Sequence, residues 1–76
     1  MSKLPILSGD RLSKILRLLN YELDHQTGSH MILRQNHYPF RRLTIPKHRE
    51  ISPGTLRAIV RQAGLSVDEF KELLSR

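Results

Sequence analysis

Thr27-Gly28-Ser29-His30-Met31-Ile32-Leu33-Arg34 reads as a tight turn feeding a strand. Glycine takes positive φ without steric cost and serine is a frequent turn residue, so Gly28 is the expected left-handed position. Met31-Ile32-Leu33 is a short apolar run of the kind that forms a half-buried strand. His30 then stands at the first strand position, with ladder hydrogen bonds on one side of its Cα and a short turn on the other. A side chain held this way suits chemistry, because catalytic geometry tolerates little slack.

Upstream, Tyr21-Glu22-Leu23-Asp24-His25 alternates apolar and polar, the period of a strand. With residues 26–29 as the connection, the two strands form a hairpin that brings His25 near His30. Before it, Leu12, Ile15, Leu16 and Leu19 recur at helical spacing, predicting a helix over residues 8 to about 19. Ser8 is its N-cap, Asp10 suits the positive end of the helix dipole, and Asn20 supplies a left-handed stop. Leu7 and Leu12 are placed to staple the helix start.

Downstream, the second strand runs from His30 to about Gln35 and Asn36-His37-Tyr38-Pro39 reads as a longer hairpin loop. Arg41-Arg42-Leu43-Thr44-Ile45 is the third strand, with Leu43 and Ile45 inward and Arg42 and Thr44 outward. Pro46 cannot donate to a ladder, so it ends the strand or marks an edge. After a basic loop over residues 47–51, Ser52-Pro53 opens a second helix whose apolar face is Leu56, Ile59, Val60 and Ala63. Gly64 ends it. Ser66-Val67-Asp68-Glu69 is a capping box for a short third helix, with Phe70 and Leu73 or Leu74 packing inward. The order α-β-β-β-α-α defines an α+β fold: a three-stranded antiparallel sheet with helices on one face, the layout of the double-stranded-RNA-binding domain (dsRBD).

The chain has 76 residues and no cysteine. It is expected to form a single domain over residues 1–76, held by apolar packing without disulfides. No stretch approaches the ~18 apolar residues that span a bilayer, and the first residues lack the apolar run of a signal peptide. A soluble cytoplasmic protein with no membrane partner is the expectation. Between Gly28 and Gln62, Arg34, Arg41, Arg42, Lys47, Arg49, Arg57 and Arg61 stand against Glu50 alone, which accounts for the whole net charge of +6. Charge confined in this way points to a polyanion, since the arginine fork bonds two phosphate oxygens at once; a solvated basic surface or an acidic protein partner is the plainer alternative.

The motifs go further than the topology. Gly28-Ser29-His30 opens strand two, Thr44-Ile45-Pro46-Lys47-His48 ends strand three, and Pro53-Gly54-Thr55-Leu56-Arg57 begins helix two. Ile59-Val60-Arg61-Gln62-Ala63-Gly64-Leu65-Ser66 and Glu69-Phe70 follow. In these blocks, over nearly its whole length, the chain resembles the HicA-type toxins, small ribonucleases of toxin–antitoxin pairs. The resemblance implies an mRNA-cleaving toxin with His30 as the catalytic residue and a HicB-type antitoxin as partner. It departs at Asn20, where the family usually has glycine; asparagine tolerates the same backbone.

RNA carries its own nucleophile, the 2′-hydroxyl, so cleavage can proceed without metal where a proton-transfer group and charge stabilisers are well placed, and no cofactor is expected. Histidine exchanges protons near neutral pH. Arg34, Arg41, Arg42, Lys47 and Arg49 are candidates to hold phosphate and offset developing charge, with His48 and Arg57 as further RNA contacts. The backbone N–H groups around Gly54 and Thr55 are a further phosphate seat. His48 is either a second acid–base group or a solvated loop residue, and His25 and His37 are structural or surface residues. His25 and His30 offer two metal ligands with no evident third. Tyr38 and Phe40 either stack on unpaired bases or serve the fold, Phe40 in the core and Tyr38 capping the loop. Two other functions remain open: a non-catalytic RNA-binding module, and DNA binding through the Ala63-Gly64-Leu65-Ser66 turn. The second conflicts with charge, because Asp68 and Glu69 would face the phosphates.

Overall fold

Each helix begins at the serine that its sequence marks. In the computed structural model, which describes residues 4–76, Ser8 Oγ accepts the Arg11 N–H at 3.1 Å and opens α1 (Gly9–Leu16). A 3₁₀ turn, Arg17–Leu19, tightens its end, and Asn20 takes φ 68° to reverse the chain. Ser52 Oγ accepts the Thr55 N–H and opens α2 (Pro53–Gln62), with Pro53 in the first turn where no N–H is needed. Ser66 and Glu69 complete both bonds of the capping box before α3 (Val67–Leu74). Gly64 takes φ 80° between the two helices.

Three antiparallel strands lie in the order β1 (Tyr21–Gln26), β2 (His30–Gln35), β3 (Arg42–Pro46). Leu33 pairs with Leu23 and Leu43, and Met31 with Ile45, so these side chains share one face. There Met31, Leu33, Leu43 and Ile45 join Leu12, Leu16, Leu56, Ile59, Val60 and Phe70 in the buried core. α1 and α2 both pack against β3, and α3 against α2. The α+β architecture is as expected, with the helices on one face of the sheet and the other face open. Among the described residues no helix is long and apolar enough to cross a membrane. The expectation that the chain opens without a leader falls partly on residues 1–3, outside the described ones.

Several local expectations change. β1 runs one residue further than the alternation implied, and β3 begins at Arg42 and ends on Pro46. The ladder shifts register between Leu23 and His25, a bulge at Asp24. Leu23 is 46 % exposed despite facing the helix side, because β1 is the edge strand away from β3, where α1 and α2 pack. Gly28 is not in the left-handed region; Gly64 is the glycine that is, among the described residues. Phe40 does not enter the core: it is 59 % exposed, at φ 58°.

Candidate active site

The turn before His30 is built by Thr27, not by glycine freedom. Thr27 Oγ1 accepts the N–H of Ser29 at 3.3 Å and of His30 at 3.0 Å, while the Thr27 N–H donates to the His30 carbonyl at 2.8 Å. A hydroxyl that bonds the backbone two residues on replaces a strained turn position. From the other side the Lys47 N–H donates to the Ser29 carbonyl at 2.9 Å, extending the β2–β3 ladder past the His30–Pro46 pair. His30, at the start of the central strand, is therefore gripped by both neighbouring segments at one end of the sheet.

Its side chain is exposed on the open face. Ser29 Oγ lies 2.8 Å from His30 Nδ1. Whichever atom carries the proton, this contact orients the ring and leaves Nε2 without a protein partner among the described residues. The tautomer decides whether Nε2 offers a proton or a lone pair.

Arg34 shares the open face, four residues along β2, or about 13 Å at ~3.3 Å per residue. The register sets it between Glu22 on β1 and Arg42 on β3. Like charges opposed across strands repel. The acidic side chains of β1 offset this, Glu22 opposite Arg34 and Asp24 reaching Arg42, whose Nη2 lies 3.2 Å from Asp24 Oδ2. The bulge lets Asp24 and His25 share the open face, and His25 Nδ1 also lies 3.2 Å from Asp24 Oδ2. His25 thus stands opposite Ile32, two positions from His30, and is not its direct cross-strand partner.

Lys47, whose N–H bonds Ser29, opens an exposed loop with His48 and Arg49 at the end of the sheet where His30 lies. With Ser8 and Asp10 they line a small cleft of about 120 Å³. The loop is tied to α1 by the Gly9 N–H, which donates to the His48 carbonyl at 2.9 Å. A Cβ on Gly9 would meet the Pro46 carbonyl oxygen and lie 3.3 Å from Lys47 Cα. Only glycine lets the helix start approach this closely. The sequence signal was a glycine in a first turn where no positive φ is required.

Two residues of the predicted basic set lie elsewhere. Arg41 lies on the helix side, its guanidinium so close to Gly64 that a Cβ there would lie 2.9 Å from Cζ. Arg57 is exposed on α2, also on the helix side. Burial pushes the Tyr21 phenol above its ordinary pKa, and the charge of Arg41 opposes that shift. A groove of about 250 Å³ between α1 and β1, lined by Lys14, Arg17, Tyr21, Leu23 and Met31, holds none of the predicted site residues. Among the described residues, no three histidine, aspartate or glutamate side chains come together as a metal set.

This geometry defines a basic α+β protein whose open sheet face carries an exposed histidine anchored by its backbone. Residues 9–65 match the family model described as HicA toxin of bacterial toxin–antitoxin systems. The match covers well over half the chain, which therefore belongs to the HicA toxin family; membership implies an antitoxin partner. No curated protein and no solved structure matches it.

Proposed function

We propose that the chain is the ribonuclease of a toxin–antitoxin pair, cleaving mRNA with His30 as its general acid or base. The observation that carries this reading is the fixed imidazole. Bonds from Thr27 and Lys47 hold the segment, Ser29 orients Nδ1, and Nε2 of the exposed ring has no protein partner among the described residues. In the reaction the 2′-oxygen attacks phosphorus and the P–O5′ bond breaks, giving a cyclic phosphate and a 5′-hydroxyl. His30 Nε2 takes the proton from the 2′-hydroxyl or supplies one to the departing O5′, and water handles the other transfer. Lys47 and Arg49 in the loop that Lys47 ties to Ser29, and Arg34 and Arg42 further along the open face, supply positive charge to the phosphates. Arg41 and Arg57 are left with peripheral contacts at most, since they lie on the helix side.

The partner is a HicB-type antitoxin that covers the open face through an acidic surface. The test is His30→Ala. Cleavage should fall by ~10²–10⁴, the usual loss for a general acid or base, with fold and RNA affinity retained. An RNA with deoxyribose at the scissile position should bind and stay intact, and EDTA should leave the rate unchanged. Cleavage by the alanine variant removes His30 from the mechanism. Cutting of the deoxy substrate replaces the internal nucleophile with water, and inhibition by EDTA introduces a metal.

A further inference from the structure

At the far end of β2 from His30, the loop over residues 36–41 presents two aromatic rings to solvent. Tyr38 is 86 % exposed and Phe40 59 %, and their rings meet edge to face with centroids 6.5 Å apart. Phe40 also holds φ 58°. The left-handed region costs an ordinary residue roughly 1–3 kcal/mol. Asparagine at position 20 meets the same demand with a side chain suited to it. Phenylalanine does not, and its exposed ring gains little burial to compensate. A turn built only to reverse the chain would carry glycine or asparagine there, so this residue is better explained by what it binds.

The loop is also firmly held. The Phe40 N–H donates to the His37 carbonyl at 2.8 Å, closing a tight turn. At its stem the Gln35 N–H donates to the Arg41 carbonyl at 2.9 Å. Gln35 Oε1 accepts the Arg41 N–H at 3.3 Å, and Gln35 Nε2 donates to the Leu19 carbonyl at 3.3 Å. Rings presented on a clamped loop lose little freedom on binding. Charge is mixed around the pair: His37 and Arg41 flank it in sequence, while Glu22 and Asn36 line one groove at the loop's start and Arg42 is held by Asp24, so the exposed rings and not charge carry the contact.

We propose that Tyr38 and Phe40 form a stacking platform for an unpaired base of the RNA whose backbone reaches His30. This rests on the ribonuclease reading above and extends it to a second contact point. Five strand steps from His30 to Gln35 span about 17 Å at ~3.3 Å per residue. At about 3.4 Å per stacked nucleotide, the platform engages a base roughly five nucleotides from the scissile phosphate, fewer if the strand is stretched. Stacking one base on an aromatic side chain contributes ~1–3 kcal/mol, or roughly 5- to 150-fold in affinity.

The experiment uses the His30→Ala protein, which on this reading should bind without cutting, and a fluorescent ten-nucleotide single-stranded RNA. Adding Tyr38→Ala and Phe40→Gly should weaken binding within that roughly 5- to 150-fold range. The slope of affinity against salt should not change, because no phosphate contact is lost. Thermal stability should hold or rise, since glycine accepts the Phe40 backbone. Walking one abasic position along the RNA should find a site whose loss matches that of the variant and adds nothing to it. Tyr38→Ala alone gives the same comparison if the double change disturbs the loop. Unchanged affinity would overturn the platform and leave His30 cleavage standing. No RNA binding by the His30→Ala protein would overturn both. Unchanged RNA affinity with weakened antitoxin binding would assign the pair to protein docking instead.

Discussion

Gly9→Ala should be among the more damaging single-methyl changes in this protein. The added Cβ would run into the Pro46 carbonyl oxygen and lie 3.2 Å from its carbon and 3.3 Å from Lys47 Cα. All three are backbone atoms, so no flexible side chain can move aside. Relief requires the start of α1 to back away from the end of β3, which stretches the 2.9 Å bond from the Gly9 N–H to the His48 carbonyl. Forcing a methyl into a packed site costs about 1–3 kcal/mol. The weakened bond adds about 1 kcal/mol, and alanine's helix propensity returns up to ~1 kcal/mol. The net is about 2 kcal/mol. For a chain this size, each kcal/mol shifts Tm by ~4–8 °C, so the loss should be roughly 8–16 °C.

Far-UV circular dichroism of thermal and urea unfolding measures this directly, and Gly54→Ala is the matched control. Gly54 also lies in a first helical turn, but nothing stands within 4 Å of its would-be Cβ. That variant should hold its stability or gain ~0.4–1 kcal/mol. Equal behaviour of the two variants would refute the close approach of α1 to Pro46. A Gly9→Ala protein that folds should also show the loop over residues 47–49 displaced beside His30, read as changed amide shifts at Lys47 and Ser29.

Further outcomes follow from the same contacts. Tyr21 has a buried hydroxyl with no hydrogen-bond partner among the described residues and a pKa raised above 10.0 by burial. A raised folded-state pKa gives stability that is full below the unfolded value and is lost as pH climbs through the folded one. Urea midpoints of the native protein should therefore fall above about pH 10, and Tyr21→Phe should lessen that fall; an identical pH slope would count against it. Asp24→Asn should release Arg42 from its 3.2 Å ion pair. Affinity for single-stranded RNA should then rise and its log–log salt slope steepen by up to ~0.7; no change in either would remove Arg42 from the RNA contacts.

Most of the fold was legible because several local signals agreed at each boundary. Ser8, Ser52 and Ser66 cap where the apolar periodicity begins, and Asn20 and Gly64 take positive φ where it ends. Gly28 misled because residue type states what a backbone is able to do, and Thr27 had already satisfied the turn by hydrogen bonds. Gly9 carried the opposite lesson. Its reason is a neighbour 37 positions away in sequence, Pro46; a glycine in a first helical turn signals a close approach, and nothing local says to what.

The site was legible in part for a related reason. Charge can be counted along a sequence, but a sheet assigns alternate residues to opposite faces, so adjacent Arg41 and Arg42 part company. Arg42 joins Arg34 and His30 on the open face, while Arg41 lies against Gly64 on the helix side. The bulge then adds what alternation alone excludes: Asp24 and His25 share a face, and the carboxylate contacts both Arg42 and its neighbour's imidazole. One acidic residue thereby restrains an arginine that phosphate would otherwise engage freely. The open face is consequently less basic along β1 than near Lys47, and electrostatic attraction should draw RNA toward the end of the sheet that holds His30. An acidic antitoxin surface would meet the same gradient, so toxin inhibition and substrate binding should compete most directly at that end.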